Sequence, residues 1–439
     1  ITGNPDDLHS GGRLCTRGTG GPGAYLDPDR LRKPLMRVTV DGRQTFQEVS
    51  WDEALQYIAT KMQGIADTVG PERMALLHHG AGGHHFLHLL RAFGSDSHAE
   101  PAFAQCRGPR DVGFRLTFGE SASSPERTDM ANARCIVLLG SHIGENLHNG
   151  QVQTLTEAIN KDATLITVDP RFSVPAGKSR HWLPIKPGTD IALLLGWMNV
   201  IIDEELYDKD YVERYTIGFE QLAAHVRQYT PEWVFLETGI RPELIRETAR
   251  EMGKAAPATV VHPGRHATWY GDDTQRSRAI AILNALLGSW NRKGGFYIPE
   301  KVDMPHYPLP DYPKPTLKTG DAYPGKWPFA SQGVTNGVIE ASVGDDAFFK
   351  GWIVYGTNLP QTIPGAAAKL RAAADSLDLV VVVETMPSEM TGYADVILPE
   401  CTYLERYDDI RNSGERHPSL ALRMPAFEPL HESKPGWWI

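Results

Sequence analysis

The residues in this chain best suited to chemistry are a cysteine set among arginines and two acids that close apolar runs. Cys106 stands in Gln105-Cys106-Arg107-Gly108-Pro109-Arg110. A thiol beside two guanidinium groups is expected to favour the thiolate, which is both a nucleophile and a ligand for soft metals. The same residues also fit an inert loop cysteine, because reactivity depends on exposure. Five histidines (His78, His79, His84, His85 and His88) fall within eleven residues around Gly80-Ala81-Gly82-Gly83. Their spacing matches no standard zinc pattern. A glycine-rich loop lining a pocket at the carboxyl end of a strand suits them better. The two acids are Asp169 and Glu384, and each follows a run of four or more apolar or β-branched residues.

Each acid closes a repeated unit. In the first, Cys135–Leu139 reads as a buried strand that stops at Gly140-Ser141. A helical pattern follows from about Gln151 to Asn160, and a second apolar run, Leu165–Val168, ends in Asp169-Pro170-Arg171. Strand, turn, helix and strand with a closing carboxylate is the layout of a nucleotide-binding βαβ unit. The turn would face a phosphate, and the acid would accept two hydrogen bonds from a ribose diol. Many such units bind nothing. The second begins at Trp352–Tyr355, turns at Gly356-Thr357-Asn358, continues as a helix over about 364–377, and ends with the strand Leu379–Val383 and Glu384. Glu384 lies 215 residues after Asp169, and at that offset Gly177 matches Gly392, Leu183 matches Leu398 and Pro184 matches Pro399. Gly140 matches Gly356 with one residue of slip. The matching tails beyond the acids favour a true duplication over chance likeness, and so a pseudo-twofold pair of nucleotide sites.

The rest of the chain fits an α/β protein of two or three domains. Asp41-Gly42 between alternating runs predicts a hairpin over about 36–49. Ser50 and Glu53 form a capping box before a helix over 51–66 with a clean apolar face. Lys186-Pro187-Gly188-Thr189-Asp190 leads into a helix over 191–202, with Thr189 or Asp190 as its cap. Further helices are expected over 207–215, 219–229, 241–252 and 274–287, with a strand over 258–262 ending in Pro263-Gly264-Arg265-His266. Residues 299–330 are rich in Pro and Tyr and read as a long loop. A net charge of -10 argues against a nucleic-acid partner. No run of ~18 apolar residues is present to span a membrane. The four cysteines (Cys15, Cys106, Cys135 and Cys401) are far apart and form no disulfide framework. Cys135 reads as core packing, and Cys401 has no clear role.

Taken together the sequence resembles the catalytic subunit of a molybdopterin oxidoreductase of the dimethyl-sulfoxide-reductase family, over nearly the whole chain. Gly12-Arg13-Leu14-Cys15-Thr16-Arg17-Gly18 is similar to the family's G-x-L-C-x-[RK]-G segment. Asp29-Arg30-Leu31 with Pro34-Leu35, and Ser50-Trp51-Asp52-Glu53-Ala54, match the two segments that follow it. Asp169-Pro170-Arg171, Pro187-Gly188-Thr189-Asp190 and Ala394-Asp395-Val396-Ile397-Leu398-Pro399 match three further motifs.

The resemblance implies two doubly wound, Rossmann-like parallel-sheet domains related by a pseudo-twofold, plus a small N-terminal loop and β segment. The expected divisions are 1–50 (remnant of an Fe–S domain), 51–130, 131–300 (a dinucleotide-binding domain) and 301–439 (the second dinucleotide-binding unit). It implies a molybdenum or tungsten bis-molybdopterin guanine dinucleotide. Gly140, Ser141, Glu145, Asn146, Asp169, Arg171, Gly188 and Asp190 would serve one dinucleotide. Gly356, Asn358, Glu384 and Asp395 would lie near the other. Cys106 would ligate molybdenum. Cys15 would be the last of four ligands to a [4Fe-4S] cluster, with Arg17 between cluster and pterin. Arg265, His266, His78, His79 and His84 would line a substrate pocket suited to an anionic oxyacid. The context of Cys106 and the segment 411–439 look most like thiosulfate, polysulfide or tetrathionate reductases. Arsenate/arsenite, formate-type and nitrate-type enzymes remain open, as does an inactive scaffold paralogue. Expected partners are a ferredoxin-like Fe–S electron-transfer subunit and a membrane anchor, on the periplasmic or outer face of the cytoplasmic membrane. The other three cluster cysteines and any export signal would precede Ile1, and a C-terminal β-barrel domain is missing. The chain is therefore expected to be an internal fragment.

Overall fold

The computed structural model of the 439-residue chain describes all residues except 8–9, 102, 124–125, 145–148, 265–270, 306, 317–326, 328, 331–332 and 415. The strands of its two larger sheets, in chain order, are β1 (Leu35–Val40), β2 (Arg43–Glu48), β3 (Met74–His78), β4 (His98–Ala99), β5 (Cys135–Leu139) and β6 (Thr164–Val168). They continue with β7 (His181–Leu183), β8 (Thr259–His262), β9 (Gly351–Tyr355), β10 (Leu379–Glu384) and β11 (Val396–Pro399). The chain divides into two compact units. The first comprises Ile1–Thr19, Cys106–Val302 and Gly414–Ser419, and the second comprises Gly20–Gln105, Asp303–Ser413 and Leu420–Ile439.

The first unit is built on a parallel sheet in the order β7-β6-β5-β8. Every residue of β5 is buried, as expected of a parallel strand covered by helices on both faces. The helix Asp190–Asp203 buries residues all round, among them Leu193, Leu194, Trp197 and Ile201. Trp197 Nε1 donates to Thr248 Oγ1 at 2.9 Å, so this ring is buried with its one donor satisfied. Thr189 precedes this helix without capping it, because its hydroxyl donates to the Lys186 carbonyl at 2.6 Å. Two of the elements not expected from the sequence bear on the site or its scaffold. One is the helix Pro231–Thr238, capped by Thr230. The other is a π-helical turn, Phe103–Arg107, that carries Cys106 and runs into the helix Gly108–Phe118. Gly108, Pro109 and Gly113 are poor helix formers, and Arg110 and Asp111 are on the buried side, so no apolar period marks this segment.

The second unit holds a seven-stranded sheet, β2-β1-β11-β10-β9-β3-β4, in which β11 through β4 are parallel and β1 and β2 form the antiparallel edge. The hairpin β1–β2 turns at Asp41-Gly42 as its sequence requires. Ser50 and Glu53 form the full capping box of the helix Trp51–Val69, which buries Trp51, Ala54, Ile58, Met62 and Ile65.

The duplication is visible strand by strand. In both units the central strand pairs in parallel with the acid-bearing strand, Leu139 with Val168 and Tyr355 with Val383. That strand then pairs with a third, Val168 with Leu183 and Val383 with Leu398. The one-residue slip between Gly140 and Gly356 falls in the helical crossover, since β5 and β9 differ by 216 in number and β6 and β10 by 215. The fourth strand breaks the pattern. It is β8, late in the chain, in the first unit, but β3, early in the chain, in the second.

Candidate functional site

In the first unit, residues singled out from the sequence gather at the carboxyl ends of β5, β6 and β7. Gly140 has φ +57° and its amide donates to the Val168 carbonyl at 2.9 Å. This left-handed turn favours glycine. Nothing stands within 4 Å of where a Cβ would project, so the turn faces open space. Ser141, next to it, is buried. Asp169 is 4% exposed, and its Oδ1 accepts the Arg171 amide at 2.8 Å. Its Oδ2 is buried without a hydrogen bond, and His142 Nε2 lies 3.7 Å away. Arg171 itself is exposed. Gly188 has φ +83° and sets the entry to the helix of Asp190. Asp190 Oδ1 is 3.2 Å from Arg276 Nε, and Arg276 Nη2 donates to the Leu139 carbonyl at 3.3 Å. Arg276 thus ties Asp190 to the end of β5, a link that nothing near Arg276 in the sequence suggested.

In the second unit Gly356 repeats Gly140. Its φ is +58°, and its amide donates to the Val383 carbonyl at 3.3 Å. Here the turn is closed, because a Cβ would lie 2.8 Å from the His79 carbonyl oxygen. His79 is exposed, and its amide donates to the Tyr355 carbonyl at 3.0 Å. Glu384 Oε1 accepts from the Thr385 amide at 2.8 Å and its hydroxyl at 3.2 Å, while burial raises its carboxyl above the usual range. Asn358 binds Glu389 Oε2 through its amide nitrogen at 2.6 Å and accepts the Met390 amide at 3.2 Å.

Asp395 does not join this group. Its Oδ2 accepts the Val380 amide at 2.7 Å, at the start of β10, while Glu384 ends that strand. Val380 and Glu384 are four positions apart on one strand, about 13 Å, so Asp395 fastens the opposite end of the strand from Glu384. Two charge arguments also change. Arg107 donates to Asp111 Oδ2 at 2.7 Å, and Arg110 is bonded to Glu126. Both guanidinium charges are thus met by carboxylates, and the case for Cys106, which is partly buried, rests on its position. His78 cannot supply a positive lining. It is 1% exposed, and burial, reinforced by His98, His84 and His79, lowers its pKa to about 3. Its ring packs near His98 (6.0 Å) and His84 (6.3 Å), with Nε2 3.6 Å from Glu100 Oε1.

Cys15 is exposed at the start of a short helical turn, beside the exposed Arg17. The backbone N–H groups of Gly18 and Arg17 lower its thiol pKa, which suits a thiolate ligand. Burial pushes the Cys401 thiol up to about 12 and raises that of Cys135, so both are packing groups. Glu145, Asn146, Arg265 and His266 lie outside the described residues. Sequence reasoning missed Glu400, which follows β11. Its Oε1 accepts from Tyr355 Oη at 2.7 Å and sits 2.5 Å from Arg406 Nη1.

Two like-registered parallel α/β units, each presenting a glycine turn and an acid at its strand ends, have the layout of nucleotide-binding βαβ units. The sequence model of the molybdopterin oxidoreductase family matches residues 30–439, and the chain belongs to that family. The thiosulfate reductase molybdopterin-containing subunit PhsA of Salmonella typhimurium is 35% identical, over 100% of this chain and 59% of that protein. Dimethyl sulfoxide reductase DmsA of Escherichia coli is 28% identical, over 92% of this chain and 54% of that protein. The solved acetylene hydratase from Pelobacter acetylenicus shares the fold with a TM-score of 0.78 at 24% identity, over 97% of this chain and 62% of that one. The chain thus spans about three-fifths of the length of these relatives. Family membership implies a molybdenum–pterin cofactor.

Proposed function

We propose that this chain is the catalytic core of a bis-molybdopterin guanine dinucleotide enzyme, with molybdenum or tungsten, that reduces an inorganic sulfur compound by two electrons in anaerobic respiration. Thiosulfate, polysulfide or tetrathionate is the substrate class. The observation that carries this reading is the repeat. Two units with one strand register each offer a glycine turn and an acid, as a cofactor with two nucleotide tails requires. The residues fit such a group. The unsatisfied, buried Oδ2 of Asp169 is an acceptor waiting for a donor, and a ribose diol supplies donors. Gly140, at the end of the neighbouring strand, faces open space.

When bound, the cofactor supplies the two-electron exchange. The chain's own part is to bind and orient. Asp169, Asp190 and Gly188 hold one tail, with Ser141 and Arg171 beside them, while Gly356, Asn358 and Glu384 serve the other. Cys106 ligates the metal as a thiolate, a soft donor suited to it. Cys15 ligates a [4Fe-4S] cluster in the full-length protein, with Arg17 next to it. His79, Arg265 and His266 contact an anionic substrate. Electrons arrive through a ferredoxin-like Fe–S subunit held by a membrane anchor, on the outer face of the cytoplasmic membrane. The 35% identity to a subunit named for thiosulfate reduction supports the sulfur substrate. The test is metal analysis of the full-length protein and turnover with reduced viologen as donor. Activity with thiosulfate, polysulfide or tetrathionate is expected. Activity with nitrate alone overturns the substrate, and absence of both metals overturns the enzyme.

A further inference from the structure

The helix Gly108–Phe118 starts directly behind the π-helical turn of Cys106, and its third residue is a buried cation. Arg110 is 3% exposed. Through Nη1 it donates to Glu126 Oε1 and to the Gly264 carbonyl at 3.0 Å, and through Nη2 to the Ser123 carbonyl at 2.7 Å. Glu126, its side chain fully buried, also takes Gln151 Nε2 at 3.2 Å on Oε2. His262 Nε2 lies 3.8 Å from the same oxygen, and His262 Nδ1 accepts the Gly264 amide at 3.1 Å. Four parts of the first unit therefore meet on one ion pair: the helix behind Cys106, the residues Ser123 and Glu126, the helix Asn149–Asn160 and the end of β8.

Burying an ion pair is a poor way to gain stability, because desolvation consumes most of the attraction. What a guanidinium does supply is direction. Its planar fork fixes several acceptors at set angles, which an ammonium cannot do. We infer that Arg110, held by Glu126, is a positioning residue that fixes the Cys106 turn against the end of β8 and so sets how the Cys106 sulfur meets the metal. The inference rests on the reading of Cys106 as a metal ligand. It also gives Arg110 a mechanical role in place of an electrostatic one, since its charge is spent on Glu126. The same bonds hold Gly264, immediately before the candidate substrate residues Arg265 and His266.

The test uses the full-length, cofactor-loaded protein and its Glu126→Gln, Arg110→Lys and Cys106→Ser variants. Glu126→Gln keeps the volume and removes the charge, while Arg110→Lys keeps the charge and removes the fork. Molybdenum content, thermal midpoint and the Mo(V) electron paramagnetic resonance spectrum are read together with kinetics. Expected are a shifted spectrum in both variants, with kcat reduced on the order of 10²-fold at little-changed KM, and metal content close to that of the parent. Should either variant load poorly, the alkylation rate of Cys106 in the metal-free protein is compared, and it is expected to change severalfold. A spectrum and an alkylation rate both identical to the parent in Glu126→Gln and Arg110→Lys overturn the inference, provided Cys106→Ser alters the spectrum. An unaltered Cys106→Ser spectrum removes the metal-ligand reading beneath it.

Discussion

Four residues carry sharp expectations of their own. His78 has a folded pKa of about 3 against an ordinary 6.5, so the unfolded chain binds its proton first. Stability from this group is therefore fully present above pH 6.5 and is lost as pH falls from 6.5 to 3. The loss is on the order of 5 kcal/mol at its limit. Urea denaturation of the parent and of His78→Met across that range should show a flatter slope in the variant. Glu100, 3.6 Å from Nε2, is the acid nearest to hand that could blunt the effect. Gly140 and Gly356 make a matched pair. Both need positive φ, but only Gly356 faces a carbonyl oxygen where a Cβ would go. Gly140→Ala should cost about 1 kcal/mol in backbone strain alone. Gly356→Ala should cost about 2–3 kcal/mol, measured as the drop in denaturation midpoint of the second unit. Cys106→Ala should remove turnover with sulfur-compound acceptors and leave the thermal midpoint nearly unchanged, because the thiol is only partly buried.

Among the elements, the helix Trp51–Val69 depends on its start. Ser50→Ala removes a hydroxyl that accepts the Glu53 amide at 3.2 Å and donates to Glu53 Oε2 at 2.8 Å, leaving only the backbone amide of residue 50 on that carboxylate. A loss of about 1 kcal/mol in thermal or urea stability is expected. The packing of Gly108–Phe118 on Asp273–Leu286 depends on Gly113, where a Cβ would come within 2.7 Å of the Arg278 nitrogen. Such close approach explains why a residue costly to a helix is used there. These two helices also show where sequence alone reaches and where it stops. The capping box, the DG hairpin, the all-apolar strands β5 and β10 and the acids closing β6 and β10 are local patterns, and each forms where its residues indicate. The π-helical turn at Cys106 and the helix behind it rest on a buried arginine bonded to Glu126, sixteen positions on. No local period records that partner. Asp395 was misplaced for a related reason. Its motif marks a strand, but which end of the strand a side chain serves is decided by the neighbour, here Val380.

Over the whole molecule, the repeated object is a set of three strands in one register, to which each unit adds a fourth from a different part of the chain. If each set holds one nucleotide tail, mild acid hydrolysis of the loaded protein should release two guanosine monophosphates per metal atom. Asp169→Asn and Glu384→Gln should each weaken retention of one tail, read as loss of nucleotide per protein. A ratio of one would break the pairing of the two units. The borrowed fourth strand also sets a timetable. All the strands of the first sheet lie between Cys135 and His262, so it can close within one uninterrupted stretch of translation. The second cannot. β3 is complete at His78, yet β9, the strand it pairs with toward the centre of the sheet, begins only at Gly351. At ~5–20 residues per second the ribosome takes on the order of tens of seconds to make that partner. For that interval Met74-Ala75-Leu76-Leu77 is an apolar strand with one edge unclaimed, the kind of segment that invites wrong pairing. The nascent chain should therefore need a chaperone most while the first unit, already able to fold, is emerging.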